Sequence, residues 1–182
     1  MRDLFKLGLK LFAIAAVAGL ALGFTNMVTS GPIAEQQMAE ANAARIKVLP
    51  AAASFNAKED PGALDEIYEG LDAAGTPVGY TGMITVTGFG GPIEVTVGVD
   101  RQGVITGVNV GGTDFSETAG LGARTKEDWF GEQFIGMSGH VALKKNGGEV
   151  DAVTSATISS NAVTNGVETA LTELTPLAKG GN

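Results

Sequence analysis

The apolar positions of this chain change period several times, and each change marks an element. Residues 11–28 form one continuous apolar run without a charge, interrupted only by Thr25 and Asn26. Residues 34–49 lose that pattern and are rich in Ala, Glu, Gln, Arg and Lys, all good helix formers. Pro32 before them and Pro50 after them predict a helix that opens at the first and closes before the second. Residues 51–56 read as loop, and 58–72 fit either an extended or a helical conformation. A period of two then sets in. Residues 78–87 alternate, and Ile93, Val95, Val97 and Val99 alternate with Glu94, Thr96 and Gly98, which is the pattern of a half-buried strand. The turn residues 88–91 and 100–103 separate these strands from each other and from a return strand at 104–110. Beyond a glycine-rich loop, 126–134 reads as helical and 140–145 as a short strand. The last change is to a period near 3.6: Val163, Val167, Ala170, Leu171 and Leu174 make one apolar face of a helix.

The 18 residues of the first run would cover about 27 Å as a helix, close to the hydrocarbon thickness of a bilayer. Arg2, Lys6 and Lys10 precede it and place the N-terminus in the cytoplasm. A cleaved signal peptide begins in the same way, but the only small-x-small site after the run is Val28-Thr29-Ser30. The expectation is therefore a retained single-pass anchor in the cytoplasmic membrane, with the rest of the chain on the extracytoplasmic side. Cleavage would export the same residues.

Composition narrows the chemistry. Of 182 residues, 44% are hydrophobic and 18% charged, enough for one modest domain and an appendage. There is no cysteine, which excludes Cys-ligated iron–sulfur clusters and disulfides. A single histidine leaves no classical zinc site and no Ser-His-Asp arrangement. The net charge of −8 supplies no basic stripe for nucleic acid. Residues 1–30 carry three basic and one acidic side chain, and residues 31–182 nine basic and nineteen acidic, so the expected exported part is the acidic one.

Two stretches carry candidate chemistry. Asp151-Ala-Val-Thr-Ser-Ala-Thr157-Ile-Ser-Ser160 runs straight into the last helix, with Ser159 and Ser160 as its candidate N-caps. Hydroxyls and small side chains there crowd a helix N-terminus, where free N–H groups and the positive end of the dipole suit a phosphate. An ordinary polar strand-to-helix turn has the same spacing. Upstream, Asp114-Phe-Ser-Glu117-Thr118-Ala-Gly-Leu121-Gly122 is a loop with a carboxylate, a hydroxyl and glycines. A strand-to-helix connection reads the same way. The glycines at 88, 90 and 91 lack the spacing of a nucleotide-binding loop and read as a hairpin turn. Lys144 and Lys145 read as solvated strand ends or as partners for a phosphate, and His140 as a surface residue.

The order of residues from Asp151 to Thr157 resembles the flavinylation motif of the FMN-binding domain family, Asp-x-x-Ser/Thr-Gly-Ala-Thr. Ser155 stands where that family has Gly. The loop at 117–122 resembles the family's Glu-Thr-Pro-Gly-Leu-Gly, with Ala119 in place of Pro and Ser116 near a frequent His. Gly88-Phe-Gly-Gly-Pro-Ile, Val97-Gly-Val-Asp100 and Gly103-Val-Ile-Thr-Gly-Val108 add matches, so the resemblance spans roughly 76–174. The family includes the G subunit of the Rnf electron-transport complex and the C subunit of the sodium-pumping NADH:quinone oxidoreductase, and the anchor followed by a helix resembles the former.

This resemblance implies an α+β fold, a twisted, mainly antiparallel sheet with packed helices behind one N-terminal transmembrane helix. Its parts would be an anchor at 1–30, a connecting helix and linker at 31–75, and an extracytoplasmic FMN-binding domain at 76–182. It implies FMN bound covalently, as a phosphoester on Thr157. Asp151, Thr154, Ser155 and Ala156 would surround the attachment point, and Glu117, Thr118, Leu121, Gly122 and Trp129 would stand near the flavin. The chain would then be an electron-transfer subunit of an ion-translocating ferredoxin:NAD oxidoreductase, not a complete enzyme alone. Its partners would be the other membrane subunits and, during maturation, a flavin transferase. The alternatives are a component like the C subunit of the quinone reductase, or an anchored module that binds flavin without a covalent bond.

Overall fold

The structure, a computed structural model, describes residues 2–180. Met1 and residues 181–182, the two ends of the expected anchor and flavin domain, lie outside the described residues. So does the side chain of Arg2, one of the three cations expected to flank the membrane. The chain divides into two compact units, one up to Ala41 and one from Asn42 onward.

The first unit is helix. Helix α1 spans Arg2–Val48, 47 residues, and passes through Pro32. The separate helix expected from Pro32 does not exist. Proline removes one N–H and one helical hydrogen bond, and the strong helix formers that follow let the helix continue. Between residues 7 and 28 the large apolar side chains, among them Phe12, Leu20 and Phe24, are exposed. The helix is long and apolar enough to cross a membrane by length and composition.

The second unit is built on a five-stranded antiparallel meander in the order β1-β2-β3-β4-β5. The strands are β1 (Ser54–Ala57), β2 (Glu66–Leu71), β3 (Pro77–Thr87), β4 (Pro92–Asp100) and β5 (Ile105–Gly111). The three alternating segments of the sequence are β3, β4 and β5. The loop at 51–56 and the ambiguous stretch at 58–72 supply β1 and β2 instead. Their alternation is hidden because β1 is short and mostly exposed, and polar residues such as Glu66 and Glu69 punctuate β2.

Two faces of the sheet are covered differently. On one, Ile93, Val95, Val97 and Val99 are fully buried, and the 22-residue helix α3 (Thr157–Ala178) lies across β3 and β4. Its buried residues Val163, Val167, Ala170, Leu171 and Leu174 are the predicted apolar face. Each valine and leucine among them contributes about 1.5–3 kcal/mol on burial. Gly166 lets α3 approach the sheet, where Val86 and Ile84 stand. The other face seats the end of α1. Val48 and Leu49 are buried over four glycines, one on each of β2, β3, β4 and β5. A side chain on Gly98 or Gly107 would strike the backbone of Val48, one on Gly70 would strike Leu49, and one on Gly79 would strike the Val99 carbonyl and crowd Leu49. Thr106 donates its hydroxyl to the Val48 carbonyl at 2.5 Å. Arg45, also buried, bonds Glu66 and lies 3.8 Å from the centre of the Tyr68 ring.

The remaining elements line the open edge near β5. A 3₁₀ turn at Gly122–Lys126 leads into α2 (Asp128–Glu132), so the helical reading of 126–134 reduces to five residues. Phe130 and Phe134 are fully buried and meet edge to face at 5.6 Å. Lys47 donates to Asp128 at 2.7 Å and holds its carboxyl below the usual range. The expected strand at 140–145 is absent. Only Leu143 bridges Val150, and Lys144–Asn146 is a 3₁₀ turn, because Gly147 in the left-handed region reverses the chain before a ladder can extend.

Candidate functional site

The segment after the Leu143–Val150 bridge is fixed residue by residue. The Asp151 backbone is held on both sides by the Gln133 amide, N–H to Oε1 at 2.8 Å and C=O from Nε2 at 3.3 Å. Val153 is buried and tucks into the core. The chain then turns sharply. The Ala156 N–H donates to the Val153 carbonyl at 3.0 Å, and Ser155 sits at φ 62°, the one non-glycine residue with positive φ among the described residues. A residue with a Cβ in that region costs about 1–2 kcal/mol, so this is the position where glycine is the low-energy choice.

Helix α3 starts at Thr157 with Ala156 as its N-cap, and no side chain caps it. Ser159 and Ser160, read from the sequence as caps, lie inside the first turn and are buried. They serve different partners because the helix is entered at Ala156, three residues before Ser159 and four before Ser160. The N–H groups of Thr157, Ile158 and Ser159 have no intrahelical acceptor. Together with the helix dipole they form an anion-binding end beside the Thr157 hydroxyl.

A cavity of about 300 Å³ opens at this end of α3. Ser155, Ala156, Thr157, Ile158 and Ser159 make one wall. Glu117, Thr118, Leu121 and Gly122 make the other, and Phe89 closes it from the β3–β4 turn. Phe89, Leu121 and Ile158 are exposed large apolar side chains, at 71%, 41% and 57%. They give the cavity an apolar mouth.

Glu117 joins the three walls. It is buried. Its Oε1 accepts from the Gly90 N–H at 3.0 Å and its Oε2 accepts from the Ser159 hydroxyl at 2.9 Å. A side chain on Gly88 or on Gly122 would occupy the place of this carboxylate. Ser116 adds a bond from its hydroxyl to the Gly90 carbonyl at 2.9 Å. The turn at 88–91, the loop at 116–122 and the first turn of α3 thus form one unit around a buried carboxylate.

The two sequence stretches are therefore brought together, and seven of the ten expected site residues line one cavity. Three do not. Thr154 is exposed and lies off the lining. Asp151 is turned to Lys144, 2.6 Å from its ammonium. Trp129 is half-buried, donates Nε1–H to Glu127 at 2.6 Å and packs edge-on against Phe130. His140 is exposed, with Nδ1 3.0 Å from Glu168. Phe89, Ile158 and Ser159 line the cavity without having been singled out for it. An aromatic residue between glycines in a tight turn was the available signal for Phe89.

The cavity fits a flavin nucleotide in outline. It is of ligand-binding size. Its apolar rim suits a flat aromatic ring, and its wall carries a hydroxyl at an uncapped helix N-terminus, which suits a phosphate.

Comparison with known proteins points the same way. Residues 88–172 match the family model described as the FMN-binding domain. The chain is 39% identical to the G subunit of the Na(+)-translocating ferredoxin:NAD(+) oxidoreductase complex of Acetobacterium woodii, over 96% of this chain and 93% of that one. It is 32% identical to the G subunit of an ion-translocating oxidoreductase complex of Methanosarcina acetivorans, over 93% of this chain and 94% of that one. Among solved structures, the C subunit of the Na(+)-translocating NADH-quinone reductase of Parabacteroides distasonis shares the fold. Its TM-score is 0.52 at 24% identity, over 64% of each chain.

Proposed function

Since this chain belongs to the FMN-binding domain family, alongside the G subunits of ion-translocating oxidoreductase complexes, we propose that it is the membrane-anchored electron carrier of a ferredoxin:NAD oxidoreductase complex, with FMN held covalently on Thr157. FMN supplies the redox chemistry, and the chain supplies attachment, orientation and surroundings. The observation that carries the reading is the position of Thr157. It lines the cavity at the uncapped start of a 22-residue helix. Attachment joins Thr157 Oγ1 to the flavin-side phosphorus of FAD as the pyrophosphate bond breaks. AMP leaves and the hydroxyl proton passes to water. A flavin transferase with magnesium is the partner for that step. The N–H groups at the start of α3 would hold the phosphate, and the rim of Phe89, Leu121 and Ile158 would offer the ring an apolar surface. Asp151 stands outside the cavity, paired with Lys144, and its role falls in recognition by the transferase or in holding magnesium during attachment.

The direct test is the intact mass of the full chain purified after co-expression with a flavin transferase. The expected result is one FMN phosphoester per chain. An unmodified mass with flavin lost on denaturation would support the non-covalent reading instead. The G-subunit relatives over nearly the whole chain favour the ferredoxin:NAD complex over a place in the quinone reductase, for which only the fold likeness speaks.

The anchor sets the topology. With the cationic flank inside, residues 31–182 face the extracytoplasmic side. Protease added to intact spheroplasts is expected to remove the domain and leave the anchor. Protection there, with cleavage from inverted vesicles, would reverse the orientation, and a mature chain starting near residue 31 would reveal a cleaved signal.

The ring side of the cavity has its own test. Leu121 is half-exposed on the rim, directly before the Gly122 that makes room for Glu117. Leu121→Asp places a carboxylate beside the ring and is expected to shift the midpoint potential downward by about 30 mV, equivalent to about 1.4 kcal/mol for a two-electron couple. The flavin absorbance changes with it, and attachment at Thr157 continues. An unchanged spectrum and potential would remove the 117–122 loop from the flavin site.

A further inference from the structure

We propose that Ser160 is the positioning residue for attachment at Thr157, because it clamps the left-handed turn at Ser155 that presents the Thr157 hydroxyl. The inference rests on the reading of Thr157 as the attachment residue. Ser160 is fully buried and never reaches the cavity. Its hydroxyl makes two bonds, both to the backbone of the attachment loop. It accepts from the Val153 N–H at 3.0 Å and donates to the Ala156 carbonyl at 2.9 Å. Those two backbone groups lie on either side of Thr154 and Ser155. The same Ala156 carbonyl also accepts the Ser160 N–H at 3.0 Å.

The need for a clamp comes from Ser155. A side chain in the left-handed region persists only where its surroundings fix it, and Ser155 itself is exposed, with no side-chain hydrogen bond among those described. What holds it is the pair of bonds from Ser160, together with the Ala156-to-Val153 bond that closes the turn. Without the Ser160 hydroxyl, the Val153 N–H loses its acceptor inside the fold. Ser155 is then free to leave positive φ, and Thr157 is no longer presented at the start of α3. Glycine at 155 would need no such support, since it takes this region unaided.

That contrast supplies the test. Flavin-free full chain in detergent is mixed with FAD, magnesium and a purified flavin transferase, and incorporation is followed by in-gel fluorescence. Ser160→Ala is expected to slow attachment roughly tenfold, the scale of one buried hydrogen-bonding group. Ser155→Gly placed in the Ser160→Ala chain is expected to restore most of the rate, which a general loss of stability would not allow. Amide exchange gives a readout free of flavin: the Val153 N–H is protected in the wild type and exchanges faster in Ser160→Ala. Ser160→Cys keeps the volume but hydrogen-bonds weakly, and serves if the alanine variant does not fold. A wild-type rate in the folded variants, or no rescue by Ser155→Gly, overturns the role of Ser160. FMN mapped to a residue other than Thr157 in the wild type overturns the attachment reading itself, whatever Ser160 does.

Discussion

Thr157→Ala is expected to yield a folded, membrane-bound chain that carries no covalent flavin. A phosphoester needs a hydroxyl, and the segment offers five: Thr154, Ser155, Thr157, Ser159 and Ser160. Ser159 and Ser160 are buried, and each is committed to a hydrogen bond, Ser159 to Glu117 and Ser160 to the Val153–Ala156 turn. Thr154 lies off the cavity. Ser155 and Thr157 are exposed and line it, and only Thr157 stands on the helix whose N–H groups would meet the phosphate. The substitution should cost little stability, within about 0.5 kcal/mol, since the side chain is exposed and caps nothing. The yellow-green flavin band on a denaturing gel should vanish completely, whereas Ser155→Gly should keep it. A band that persists in Thr157→Ala would place the attachment elsewhere, with Ser155 the first candidate.

The second large effect is expected at Glu117. Its carboxylate is the common acceptor for the Gly90 N–H and the Ser159 hydroxyl. Glu117→Ala leaves the buried Ser159 hydroxyl without its partner, hands the exposed Gly90 N–H to water, and opens a void between Gly88 and Gly122. The orphaned buried donor costs about 1–3 kcal/mol, and the void adds to it, so the loss should lie at about 2–4 kcal/mol. Glu117→Gln keeps the shape and one carbonyl acceptor, and the Ser159 hydroxyl can rotate to accept from the amide. Its loss should be near 1 kcal/mol. Denaturant unfolding of the full chain in detergent reads the difference. Equal losses in the two variants would mean that shape alone, and not hydrogen bonding, holds the three walls together.

The sequence reading and the structure agree where a residue pattern has one physical solution. Alternation at 93–99 fits a strand with one apolar face against a core, and the 163–174 face fits a helix lying on it; the cover that Val48 and Leu49 give the other face leaves no apolar signal because it rests on glycines. The cavity was legible as two separate stretches because both carry small residues and hydroxyls that crowd a helix start. What joins them was not legible. Glu117 looks like any loop carboxylate until Gly88 and Gly122 are seen to leave space for it. The substitution of Ser for Gly at 155 marked a backbone requirement, and φ 62° is that requirement. Strand β1 was read as loop because it is short and mostly exposed, and β2 stayed open between extended and helical because Glu66 and Glu69 break its apolar pattern and the buried Gly70 adds nothing to it. Pro32 misled for a different reason. A proline lowers helix stability by a fixed amount, and whether the helix breaks depends on the residues around it.

The glycine row beneath Val48 and Leu49 restricts how this protein can drift in sequence. At Gly70, Gly79, Gly98 and Gly107 a neighbour occupies the space that a Cβ would fill. Every amino acid that a point mutation can substitute for glycine carries that atom, alanine included. The four positions therefore have no neutral neighbours in sequence space so long as Val48 and Leu49 stay where they are. Divergence on this side of the sheet must proceed through β1 and the rims, because the nearest atoms in the way at Gly79, Gly98 and Gly107 are backbone, and only at Gly70 is the nearest one a side chain, Leu49, that a smaller residue could replace.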